Sequence, residues 1–100
     1  MKLAPRCIFS PLSEADLEEI GDYIARDNPR RALTFVQELR ERCTKITHHP
    51  EAAPLRPEFG ADFRLVPFGR YLIFYTVSAE AVRIERILHG ARQLQDLFDA

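Results

Sequence analysis

Two dipeptides, Ser10-Pro11 and Asn28-Pro29, constrain this chain more than any other feature. Each sets a side-chain oxygen directly before a proline. Ser and Asn accept hydrogen bonds from the orphan amides of a helix N-terminus. Proline fits the first helical position, where its missing N–H costs nothing. The pair therefore predicts two helix starts close together. Acids crowd the first turns after Pro11, which suits the positive end of the helix dipole. Leu12, Ala15, Leu17, Ile20 and Ile24 supply a ragged apolar stripe. After Pro29, the residues Ala32, Val36, Leu39, Cys43 and Ile46 recur at helical spacing, with Leu33 and Phe35 widening the face. Pro50 stops that helix. The short link in "RDNPRRA" predicts an antiparallel helical hairpin.

A hairpin with one apolar stripe must bury it, and the rest of the chain offers a sheet. Arg6–Ser10 is short and β-prone behind Pro5, which suits an edge strand. Residues 50–62 carry three prolines and Gly60 and read as a loop. Phe63–Val66 predicts a short strand and Pro67-Phe68-Gly69 a turn. Tyr71–Val77 is almost wholly apolar, as a central strand buried on both faces would be. Val82–His89 predicts the last strand. Strict alternation puts Val82, Ile84, Arg86 and Leu88 on one face, and Arg83, Glu85, Ile87 and His89 on the other. Arg86 then falls on the helix-facing side or at its margin, where an acid from the first helix is the natural partner. "ARQLQDLFDA" reads as a short amphipathic tail with Leu94, Leu97 and Phe98 at helical spacing. The expected fold class is α+β in two layers, β-α-α-β-β-β with a short C-terminal helix and the hairpin packed on a mainly antiparallel sheet. Length gives one domain over residues 1–100.

Charge sharpens the functional question. The net charge is −1, so the whole chain does not read as a nucleic-acid binder. Yet the first helix is strongly acidic, while Arg64, Arg70, Arg83, Arg86 and Arg92 make the C-terminal strands basic. A basic sheet could meet phosphate or an acidic protein, or the two regions could simply attract each other. No apolar run approaches a membrane span, and the first residues lack the apolar core of a signal peptide. Cys7 and Cys43 are too few for a disulfide framework and read as buried reduced thiols. The expected compartment is the cytoplasm.

Several chemistries find no support. His48 and His49 are adjacent and His89 is remote, which gives no metal-ligand spacing. No nucleophile elbow and no phosphate-cradling glycine loop is present. No cofactor and no metal are expected. What remains is the arginine set with Tyr71, Tyr75 and His89. A metal-free ribonuclease needs a base, an acid and cations on the developing charge. Arg64, His89 and Arg92 could serve if they met. The bland alternative is sheet packing for the tyrosines and solvated or structural arginines.

The order β-α-α-β-β-β, with "SPLSEADLEEIGDYIARDNPRRA", "GRYLIFYTV" and "ERILHGARQL", resembles the ParE branch of the RelE/ParE toxins of bacterial type II toxin–antitoxin systems. The resemblance runs from about Arg6 to Phe98. It implies a toxin that inhibits DNA gyrase by binding. It also implies a ParD-like antitoxin whose C-terminal segment folds against the toxin beside the helical hairpin, and whose N-terminal half reaches operator DNA, so this chain meets the operator only indirectly. On this resemblance Leu12, Ile20, Ile24 and Phe35 are the expected antitoxin-binding residues, and Arg70, Arg83 and Arg92 the expected target surface.

RelE-type relatives instead cut mRNA on the ribosome. Against their pattern, Arg64 matches the first of a basic pair and Val66 occupies the second. An arginine expected early in the third strand falls on Leu72. Arg92 matches the arginine after the last strand, and Phe98 stands where a tyrosine is expected. Phenylalanine has no hydroxyl to move a proton. No catalytic residue is expected on the ParE reading. The alternative is a RelE-like ribosome-dependent mRNA endonuclease using Arg64, His89 and Arg92.

Overall fold

Both cap signals form as the sequence predicts in a computed structural model of the chain, which describes residues 5–94. Ser10 Oγ accepts the Ser13 amide at 3.0 Å and opens helix α1 (Pro11–Ala25). Asn28 Oδ1 accepts the Arg31 amide at 3.0 Å and opens helix α2 (Pro29–Ile46). The two helices pack together as a hairpin. The face of α2 that joins the core carries buried Leu39, Cys43 and Ile46, with Val36 half-buried, and Ala32 is buried beside the first helix. Leu33 does not widen that face, because its side chain is 76% exposed.

The inward face of α1 differs from the expected stripe. Ser13, Asp16, Leu17 and Ile20 are buried, whereas Leu12 is 60% exposed and Ala15 lies at the surface. Asp16 occupies the inner face because the sheet edge beneath it has a backbone amide to satisfy, while the Ser13 hydroxyl donates to the Ser10 carbonyl at 2.9 Å. Leucine and alanine at the helix start are left outside.

Four strands follow the order β1-β4-β3-β2, with β1 (Arg6–Phe9), β2 (Arg64–Phe68), β3 (Tyr71–Val77) and β4 (Ala81–His89). β1 lies at one edge and runs parallel to β4, from Arg6 opposite Ala81 to Phe9 opposite Ile84. The helical hairpin is the crossover that a parallel pair requires. β2–β3 and β3–β4 are antiparallel. β2 is longer than expected: Pro67 pairs with Leu72 and Phe68 with Tyr71. An edge strand tolerates a proline whose missing N–H would face outward. The turn is therefore Gly69-Arg70, with Gly69 at φ 58°, the left-handed region that favours glycine.

Strict alternation fails once along β4. Phe74 faces Arg86, but the next residue, Tyr75, faces Ile84, so Glu85 is bulged out of the ladder. The bulge reverses the parity beyond it. Ile87 joins Val82 and Ile84 in the helix-facing core, and Leu88 is buried on the opposite side. That opposite side is also covered: Phe74 meets Phe59 and Phe63 at ring distances of 5.3 and 6.2 Å. The proline-rich stretch before β2 folds back through an isolated Leu55–Arg64 bridge and an Arg56 amide to Phe63 carbonyl bond of 2.7 Å.

β1 stops at Phe9, but β4 runs on. Side chains of α1 take over the exposed edge. Ser10 Oγ donates to the Glu85 carbonyl at 2.8 Å. Asp16 Oδ2 accepts the Ile87 amide at 2.9 Å and Arg86 Nε at 2.8 Å, while Oδ1 accepts Arg86 Nη2 at 3.0 Å. Arg86 thus sits at the margin, paired with an acid of the first helix. A four-residue helix, α3 (Gly90–Gln93), follows β4. Leu97 and Phe98 of the expected tail lie outside the described residues. Among the described residues no helix is long and apolar enough to cross a membrane.

Candidate functional site

The register separates the residues that a nuclease would need together. Tyr71 faces His89 at one end of β3, and Tyr75 faces Arg64 four positions along. At about 3.3 Å per residue this places Arg64 roughly 13 Å from the His89 pair along the strand. Arg64 is also engaged, since its Nη1 donates to the carbonyls of Ala53 and, at 3.3 Å, Glu51. It pins the loop before β2. Tyr75 is buried and its hydroxyl donates to the Pro50 carbonyl at 2.8 Å. Burial pushes that hydroxyl's pKa up, against the opposing pull of the Arg64 charge. Tyr75 is therefore a weaker acid than an ordinary tyrosine.

The expected target arginines also divide. Arg83 registers with Ile8 and Thr76 at the start of β4, where it pairs with Glu85. Arg70 and Arg92 meet at the other end, beside His89. The Gly90 amide donates to the Arg70 carbonyl at 3.0 Å, tying the β2–β3 turn to the start of α3. His89 Nδ1 accepts the Arg92 amide at 3.3 Å, and the His89 amide donates to Gln93 Oε1 at 2.9 Å. The Tyr71 and His89 rings meet edge-on at 5.3 Å.

This geometry fixes the chemistry of His89. With Nδ1 accepting, the proton of the neutral ring belongs on Nε2. No lone pair is left to act as a base, and Nε2–H is a donor. The histidine pKa is lowered, first by its partial burial and then by the charges of Arg92 and Arg70. The ring is accordingly neutral at pH 7.

Two residues that sequence reasoning passed over complete this end. Tyr23 on α1 is 49% exposed, and the Arg92 guanidinium lies 4.4 Å from its ring centroid. Arg26 stands at 6.0 Å from the same ring. The signal was available: Tyr23 and Arg26 are three apart, as neighbours on a helix face are. Among the described residues no carboxylate forms an ion pair with Arg26, Arg70 or Arg92.

A second feature lies between the helices. A groove of about 670 Å³ is lined by apolar Pro11, Ala15, Ala32, Leu33 and Val36, with Glu14, Glu18 and Asp22 at its rim. The expected antitoxin residues do not line it. Ile20 is 5% exposed within the core, Ile24 packs against that core, and Phe35 stacks on Phe68 and Tyr71 at 5.7 and 5.6 Å. Leu12 alone of the four is exposed. Apolar residues of a hairpin helix serve the core first, and the surface keeps what the sheet cannot cover. Among the described residues no three His, Cys, Asp or Glu side chains gather as a metal-ligand group.

With the geometry in hand, the comparisons are direct. The sequence family described as ParE toxin of type II toxin-antitoxin system, parDE, matches residues 7–94. A solved chain from the chromosomal ParDE TA system of P. aeruginosa superposes with a TM-score of 0.74 at 21% identity, covering 86% of this chain and 96% of that one. At that identity the likeness speaks for the fold. No curated protein sequence matches.

Proposed function

The chain belongs to the ParE toxin family of type II toxin–antitoxin systems, and on that footing we propose that it acts by binding DNA gyrase, stabilises the cleaved-DNA state, and is neutralised by a ParD-like antitoxin. The observation that carries the binding reading over the nuclease reading is the state of His89. Its Nδ1 is spent on the Arg92 amide and its remaining nitrogen is a donor. Arg64 is committed to the carbonyls of the loop before β2. Among the described residues Arg64, His89 and Arg92 do not come together as a proton-transfer set, which supports a cationic contact surface instead. Arg70 and Arg92 form its centre. Arg83 joins only a target broad enough to span the sheet.

The antitoxin docks on the helical hairpin in this reading. The interhelical groove offers apolar floor and an acidic rim. It suits a segment with small apolar residues on one face and basic residues beside them, folding as it binds. Exposed Leu33 is its natural anchor. Operator DNA is reached through the antitoxin, the 100 residues act as one toxin domain in the cytoplasm, and no cofactor takes part.

Purified gyrase tests the reading. Antitoxin-free protein is expected to inhibit supercoiling at stoichiometric ratios and to trap linear DNA. No effect from folded protein in excess overturns it. Primer extension on translated mRNA covers the nuclease alternative, for which cleavage at ribosome-positioned codons is the signature.

A further inference from the structure

Seven of the twelve described arginines form no ion pair with another described residue, and three of them, Arg26, Arg70 and Arg92, converge around Tyr23 and His89. Elsewhere five arginines are paired, Arg31 with Glu38, Arg40 with Glu14, Arg56 with Glu58, Arg83 with Glu85 and Arg86 with Asp16, and Arg64 is held by backbone carbonyls. Three guanidinium groups with no acidic partner among the described residues, gathered at one end of a chain of net charge −1, are a local property that the whole-chain charge conceals.

We infer that the His89 end of the sheet is a phosphate-recognition site, built from Arg70, Arg92, Arg26 and the Nε2–H of His89, and that its ligand is the sugar–phosphate backbone of DNA.

The elements hold these groups in place. Arg70 sits in a two-residue turn whose carbonyl is held by the Gly90 amide. Arg92 is oriented by the Tyr23 ring, and a stacked guanidinium keeps its N–H edge free for bidentate bonding to phosphate. The guanidinium groups and the Nε2–H of His89 donate, and a phosphodiester only accepts. The half-exposed Tyr23 ring adds the aromatic body that accompanies cations where proteins follow a nucleic-acid strand. A plain carboxylate surface has no use for it.

Acids of α1 set the limit of the site. Glu18 and Asp22 face the interhelical groove. Glu19 stands one helical turn before Tyr23 on α1 and confines the site to a few phosphates. Binding by this site alone therefore lies in the non-specific range, about 10⁻⁴ to 10⁻⁶ M. It becomes effective once another contact has brought DNA within reach. The inference deepens the gyrase reading, since a toxin that holds a cleaved-DNA complex meets DNA as well as protein.

The test uses full-length, antitoxin-free protein and a fluorescein-labelled dT12 oligonucleotide, read by anisotropy at several salt concentrations, with no gyrase present. Binding is expected to weaken linearly in log–log salt. Arg70→Gln and Arg92→Gln should each lower the slope by about 0.7, one phosphate contact on a single strand. Arg31→Gln, which removes the same charge from a paired site on α2, should leave it unchanged. The His89 ring resonances should move when the oligonucleotide is added to the unmodified chain, a readout that needs no variant to fold. Absence of binding, equal losses in all three variants, or hexaglutamate competing as well as DNA would overturn the inference. DNA binding without gyrase inhibition would sink the gyrase reading and leave this site standing. Gyrase inhibition without DNA binding would do the reverse.

Discussion

Asp16 accepts both the Arg86 guanidinium and the Ile87 backbone amide, and so replaces the strand that β4 lacks beyond Ile84. The carboxylate is 5% exposed and the arginine 22%. Removing one partner of such a pair leaves the other charge and an amide unsatisfied. Asp16→Ala is expected to lower stability by about 3 kcal/mol. Asp16→Asn, which can still accept the amide, should cost less. Urea denaturation measures both, and a loss below about 1 kcal/mol for the alanine variant contradicts the role.

The two helix caps should not be equal. Asn28 caps α2 at an exposed site, so Asn28→Ala should cost about 1 kcal/mol. Ser10 caps α1 and also donates to the Glu85 carbonyl beside the bulge. Ser10→Ala should cost about 2 kcal/mol, one share for each bond. Equal losses in the same denaturation assay would argue that the Glu85 bond contributes nothing.

Stability should depend on pH through His89. Its folded pKa lies below the ordinary 6.5, so the folded state binds the proton less readily than the unfolded chain. The contribution is full above 6.5 and is lost as pH falls from there through the folded pKa. His89→Asn keeps a capping acceptor for the Arg92 amide and should flatten this part of the profile. Melting temperatures of both proteins between pH 7.5 and about 5 decide it.

The two proposed surfaces should separate by mutation. Arg70→Ala with Arg92→Ala is expected to weaken gyrase inhibition at least about tenfold, or about 1.4 kcal/mol, and to leave antitoxin affinity intact. Leu33→Asp should do the opposite, since it puts a charge on the apolar side of the groove. Titration of antitoxin and supercoiling assays on each variant give the comparison. Parallel loss of both activities would place the two partners on one surface.

Thiol chemistry reports on the core. Burial pushes the Cys43 thiol up to about 12, with Cys7 nearby adding to the shift, and burial also raises Cys7. Neither should react readily with a disulfide reagent at pH 8 in the native protein. Both should react at once in denaturant. Fast native labelling of Cys43 would mean that the hairpin opens from the sheet.

Much of this was legible in the residues themselves. Ser10-Pro11 and Asn28-Pro29 located both helices, because capping is local chemistry. Arg86 announced an acidic partner on α1, because a charge in an apolar run needs one. The bulge at Glu85 was not legible: alternation carries no mark of a skipped residue, so Ile87 and Leu88 were assigned to the wrong faces. Pro67 looked like a turn because only the finished sheet reveals that β2 lies at an edge. Which apolar residues of the hairpin face the core and which face a partner was not legible, because that division depends on how the hairpin rotates. Tyr23 and Arg26 became significant only when α3 brought Arg92 over them.

The parallel pairing of β1 with β4 also orders events in time. Arg6 meets Ala81, so the first strand has no ladder partner until the last strand exists. A chain emerging from the ribosome can form its helical hairpin early from local contacts, but it cannot close the sheet. The end that carries His89 and Arg92 is made later still. On the proposed reading, antitoxin recognition through the hairpin and target contact through the far end of the sheet are staggered in synthesis. A newborn chain would then display the surface by which it is restrained before it possesses the surface by which it harms.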